Sequence, residues 1–165
     1  MGSEMCIRDR FDATSNVIAE GLPNEVEQAR LDLAAAEGWR ISMEDSGEKI
    51  LDHSSTFEGV VRFVSYVPLM SSDPCQPNLG SSFFYAVNLQ DGTPFEDINE
   101  GVDDSHKKVY RRKLIPTPGI APPVSTIFVE SNGTVTPTDV SGVNKLHEFD
   151  NVDLLRKWFW AENPE

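Results

Sequence analysis

The chain is poor in the residues that most directly announce chemistry. It has two cysteines in 165 residues, Cys6 and Cys75. They show no paired spacing, so neither a disulfide framework nor a thiolate metal site is written into the sequence. Cys75 has no histidine near it in sequence that would activate it, and it reads as a loop thiol rather than a nucleophile. The three histidines, His53, His106 and His147, share no ligand spacing. No glycine-rich phosphate loop or dinucleotide fingerprint is present. No apolar run approaches the roughly 20 residues of a spanning helix, so no membrane span is expected. Cationic charge is scarce too. Fourteen Lys and Arg stand against 27 Asp and Glu, a formal net charge of −13. Such a surface repels phosphate backbones and anionic lipid, which argues against nucleic acid as a partner.

What is present is a globular composition, 39% hydrophobic and 25% charged, compatible with a packed core. The first ten residues, Met1 to Arg10, have no apolar signal-peptide core. They read as a non-native, adapter-derived segment of the kind carried by metagenomic fragments. The protein is then expected to begin upstream, with its signal peptide missing from this stretch. Residues 11–37 are expected to be a helical segment. Pro23 suits a first helical position, acidic residues crowd the first turn, and Val26, Ala29, Leu33 and Ala36 repeat at helical spacing before Gly38. Residues 38–165 read as β.

Expected strands are Trp39–Met43, Glu48–His53, Phe57–Val67, Ser82–Leu89, Val109–Ile115, Val124–Val129 and Thr134–Thr136, with a further one within Leu154–Trp160. Asp91-Gly92 and Asn132-Gly133 are turn signals, and Gly59 marks a bulge or tight corner. Asn132-Gly133-Thr134 is formally a glycosylation triplet, but a hairpin explains it better. Short strands with frequent turns fit a sandwich, a barrel or a propeller.

Four clusters carry a sharper reading beside a plainer one. Asp97, Asn99 and Asp103 are spaced like the first, third and seventh ligands of a calcium loop. The match then fails, because Gly101 takes the fifth position, Val102 the obligatory glycine and Lys108 the closing glutamate. They remain weak metal candidates in what reads as a solvated acidic loop. The basic run His106–Lys113 could bind anions. It reads better as an exposed edge strand, protected by its charges and facing that loop. Asp52-His53-Ser54-Ser55 holds triad residue types, yet neighbours in a strand point to opposite faces and cannot form a relay. Trp39, Trp158 and Trp160 read as core anchors rather than a carbohydrate platform.

Four passages, in order, resemble the C-terminal part of the PilY family. They are Gly38-Trp39-Arg40-Ile41 with Gly47-Glu48-Lys49-Ile50-Leu51; Ser55 to Tyr66; Asp73-Pro74-Cys75 with Gly80 to Gly92; and Gly119 to Phe128. The basic strand at Lys107–Lys113 and the proline spacing near Ala121 depart from the family pattern. The resemblance implies a mainly β fold, the C-terminal fragment of a β-propeller with quinoprotein-like blades and one short helix. It implies a non-enzymatic role in type IV pilus assembly, retraction control and surface adhesion, at the pilus tip, outer membrane and cell surface. Minor pilins, the tip complex, and host or abiotic surfaces would be the partners. No catalytic or cofactor-binding residue is carried over. Calcium belongs to the full-length family, through a loop not matched here. Rival readings are a fragment of a quinone-cofactor propeller dehydrogenase and a periplasmic propeller scaffold. The isolated stretch is expected to be marginally stable, since blade faces made for neighbours would be uncovered.

Overall fold

The computed structural model describes residues 9–69, 79–95, 111–131 and 134–148, without the side chains of 131 and 134. Among them the fold is mainly β. An N-terminal unit comes first. Strand β1 (Phe11–Asp12) pairs in parallel with β2 (Trp39–Arg40), and helices α1 (Val17–Glu20) and α2 (Pro23–Ala35) form the crossover between them. Parallel neighbours require such a crossover. Helix α2 begins at the expected proline. Its Glu25 carboxylate accepts the Leu22 N–H at 3.0 Å, tying off one of the donors left open at a helix start. Val26, Ala29, Leu33 and Ala36 are its buried or half-buried positions, which is the stripe the spacing predicts. No helix among the described residues is long and apolar enough to cross a membrane.

Two antiparallel sheets follow. Sheet B is built on the order β3–β5–β6–β7, from Lys49–Ile50, Val60–Val67, Ser81–Asn88 and Arg112–Leu114; β4 (Ser55–Phe57) also pairs with β5. Sheet C has the order β10–β9–β8, from Asn144–Glu148, Thr134–Ser141 and Ser125–Ser131. Glu58 and Gly59 both have positive φ, so the expected single strand from Phe57 is folded back there into β4 and β5. Ser131 pairs with Thr134, so β8 and β9 are joined through residues 132–133, where a hairpin is expected. Strand β10 has no clear counterpart in the sequence pattern.

Alternation along β5 and β6 sorts side chains to two buried faces. One face carries Val60, Val64, Phe84 and Ala86, packed with Ile115, Val124 and Leu146; it looks onto sheet C. The other carries Phe63, Tyr85 and Val87, covered by Trp39, Ile41 and Met43 from the N-terminal unit. Sheet B is therefore covered on both faces. In β10 the register shifts between Lys145 and His147, so Leu146 and His147 lie together against Asp139. Such a bulge lets two successive residues be buried, and both are.

Trp39 acts as the core anchor the sequence suggests. Its Nε1 donates to the Leu89 carbonyl at 2.7 Å. Its ring lies against Gly92, the glycine of the expected Asp91-Gly92 turn, where an added Cβ would stand 2.7 Å from Cε3. Gly92 also has φ 68°, which glycine adopts freely. Trp158, Trp160 and the strand expected within Leu154–Trp160 lie outside the described residues.

Candidate functional site

The two faces of sheet B each hold a charged cluster. On the face toward sheet C, Arg62 stands between Val60 and Val64, so alternation alone commits its guanidinium to the core. Its Nε lies 2.5 Å from Asp139 Oδ2 on β9, and both side chains are 0% exposed. Arg62 Nη1 also donates to the carbonyls of Phe57 (2.9 Å) and Val60 (3.2 Å). Thr126 Oγ1 on β8 donates to Asp139 Oδ1 at 2.7 Å. His147 is paired with Asp139 across β9–β10, and its ring meets Phe95 edge to face at 5.6 Å. Burial pushes the Asp139 carboxyl above the usual carboxylate range, against the pull of the Thr126 hydroxyl and of Arg62. Burial likewise lowers Arg62, against the pull of Asp139. The pair is an internal clamp between the sheets, with no open side to admit a substrate.

On the opposite face Glu48 plays the central part. Its Oε1 accepts from Ser65 Oγ at 2.5 Å and from Tyr85 Oη at 2.8 Å. Its Oε2 accepts from the Asp45 backbone at 3.0 Å and from Arg112 Nη1 at 3.3 Å. Arg112 continues outward to Asp45 (2.7 Å) and Glu44 (3.1 Å), with its guanidinium 4.2 Å above the Phe83 ring. Burial, with the Glu48 hydrogen bond added, raises the Tyr85 hydroxyl well above its ordinary value. A phenol so raised is a poor base at neutral pH. The network joins the Glu44–Glu48 turn to β5, β6 and β7.

Arg111, the residue before β7, closes a third junction. Its Nε donates to the Gly92 carbonyl at 3.0 Å and its Nη1 to the Thr14 carbonyl at 2.8 Å, with Nη2 on the Ala13 carbonyl. The N-terminal unit is thereby pinned to the edge of sheet B. The expectation of an exposed basic strand is corrected for Arg111 and Arg112; residues 106–110 and the acidic loop they were expected to face lie outside the described residues. Lys113 is exposed, but Arg111 and Arg112 are half-buried, and Arg112 faces Glu44, Asp45 and Glu48. Among the described residues β7 is an edge strand.

The expectation for Asp52 and His53 is also corrected. They lie on a bend rather than in a strand, so alternation does not separate them, and His53 Nδ1 stands 2.6 Å from Asp52 Oδ1. The hydrogen bonds from His53 hold the Asp52 carboxyl below its usual range. Both side chains are solvent-exposed, so the pair sits at the surface.

Asp97, Asn99, Asp103, Cys6, Cys75 and His106 lie outside the described residues. Among the described residues no group of three or more His, Cys, Asp or Glu is placed to hold a metal ion. Sequence reasoning missed Arg62 and Glu48. A lone arginine inside Val60-Val61-Arg62-Phe63-Val64 was the available signal, since a charge on an apolar face demands a partner. The chain matches no family model, no curated protein and no solved structure.

Proposed function

We propose that this chain is a non-catalytic assembly module, part of a PilY-type factor at the tip of type IV pili, which supports pilus biogenesis, retraction control and surface adhesion. The observation that carries the family assignment is the ordered set of four passages from Gly38 to Phe128. The chain order of the sheets supports it. Strands β4, β5, β6 and β7 are successive antiparallel neighbours, and β8, β9 and β10 form a second meander packed on one face of the first. We read these as consecutive blades of a β-propeller, whose inner blades are covered on both faces as sheet B is. The non-catalytic reading is supported by the charged clusters, whose polar atoms engage strands and turns of the fold itself.

In this reading the module works as a rigid disc sector. Its loops meet minor pilins of the tip complex on one side and a host or abiotic surface on the other. The location is the cell surface, and calcium acts through another part of the full-length protein. Deletion of the full-length gene is expected to reduce piliation, twitching and surface attachment together. Normal piliation, motility and attachment in the deletion strain would overturn the proposal. Supplying pyrroloquinoline quinone to the full-length protein is expected to give no dye reduction; reduction would establish the dehydrogenase instead.

A further inference from the structure

Strand β8 ends sheet C, with β9 as its only strand partner among the described residues. Sheet edges are ordinarily protected by lysine, proline, a bulge or brevity. The edge of sheet B follows that rule, with Arg112 and Lys113 on the three-residue β7. Strand β8 does not. It runs seven residues, Ser125-Thr126-Ile127-Phe128-Val129-Glu130-Ser131, with neither proline nor basic residue. Ile127, Phe128 and Val129 are 45%, 52% and 45% exposed, the Phe128 ring also meeting Phe57 of β4 edge to face at 6.0 Å.

The order of residues says what fits this edge. The strand is close to a palindrome about Phe128. Two copies laid antiparallel with a twofold axis through Phe128 set Ile127 against Val129, Thr126 against Glu130, Ser125 against Ser131 and Phe128 against itself. Apolar positions meet apolar positions on both faces of the seam. The one charge, Glu130, meets a threonine rather than a second carboxylate. That placement matters in a chain of net charge −13, whose copies otherwise repel. Moving the axis to Ile127 would set Thr126 against Phe128 and Ser125 against Val129, and the match is lost.

We propose that β8 is a docking edge for a second copy of this chain, paired antiparallel about Phe128 into one sheet with three strands from each copy. The contact is isologous, so it closes as a dimer and does not propagate. A seven-residue seam falls short of the roughly 1,000 Å² of a permanent interface, so the dimer is weak and concentration-dependent. It does not depend on the pilus reading.

Sedimentation of the 165-residue chain over a wide concentration range is the test. A monomer–dimer equilibrium is expected. The variant I127K/V129K, which places two cations across each Ile127–Val129 junction, is expected to be monomeric with an unchanged far-UV spectrum. Both positions point away from the Arg62–Asp139 clamp, because Thr126, the neighbour of Ile127, faces it and alternation sets Ile127 and Val129 on the other face. Amide exchange supplies a readout that needs no variant: β8 amides should slow as concentration rises, while those of the β7 edge should not. A wild-type chain that stays monomeric, that forms open-ended aggregates, that dimerises with unchanged β8 exchange, or whose folded variant still dimerises would each overturn the proposal.

Discussion

The two faces of sheet B solve the same problem differently. Toward sheet C, one arginine and one aspartate meet with no exposure at all. Toward the N-terminal unit, Glu48 is wholly buried, but its charge is handed through Arg112, 16% exposed, to Asp45 and Glu44 at the surface. The first arrangement is all or none, because removing either partner leaves a full charge in the core. The second is graded, since solvent can relieve its outer members. A tight inter-sheet clamp thus stands beside a tolerant surface network.

The largest loss is expected at the clamp. Asp139→Ala is expected to lower unfolding free energy by about 3–5 kcal/mol, the range for orphaning a buried charge. Chemical denaturation measures it. On the graded face, Glu48→Ala removes the acceptor shared by Ser65 and Tyr85, and should cost about 1–3 kcal/mol by the same assay. If the two losses prove equal, the distinction between the faces fails. A smaller effect is expected from Gly92→Ala, about 1–2 kcal/mol, from its positive φ and the Trp39 ring that meets the new methyl. Trp39→Phe, which keeps an aromatic ring but loses the indole N–H bond to Leu89 and part of the indole's bulk, should cost about 1 kcal/mol for the bond.

The smallest effect concerns acid. Asp12 is held below the usual carboxylate range by hydrogen bonds from the Thr14 side chain and backbone, with Arg40 adding to them. A depressed carboxyl contributes stability above its unfolded value and loses it as pH falls through the folded one. Acid titration of Asp12→Asn against the parent chain should therefore show a difference that shrinks as pH falls through that range. It should be slight, because the Asp12–Arg40 pair is about half exposed.

Much of the framework was legible locally. Pro23, the Val26–Ala36 stripe and Gly38 fixed α2 because helix signals sit within a few residues of one another. Alternation in Val60–Val67 and Ser82–Leu89 sorted two faces, and Asp91-Gly92 turned the chain. Illegible were features set by distant partners. The parallel pairing of Phe11–Asp12 with Trp39–Arg40 involves only two residues on each side. Strand β10 is rich in polar residues, and its bulge hides the period-two pattern. Arg62 could be seen to need a carboxylate, but nothing local selects Asp139, 77 positions further along, from 27 acidic residues. Asp52 and His53 were misjudged because the bend that joins them carries no glycine or proline.

In the proposed reading the buried charges hold the fold and perform no chemistry. The double variant R62M/D139L tests it, assayed for stability and, under the proposed pilus reading, for piliation in the organism that carries the gene. Apolar replacement of a buried ion pair is often neutral or stabilising. An unfolding midpoint at or above the parent's, with piliation intact, is expected. A variant that keeps its stability and loses piliation would contradict it, because Arg62 and Asp139 would then act beyond the fold.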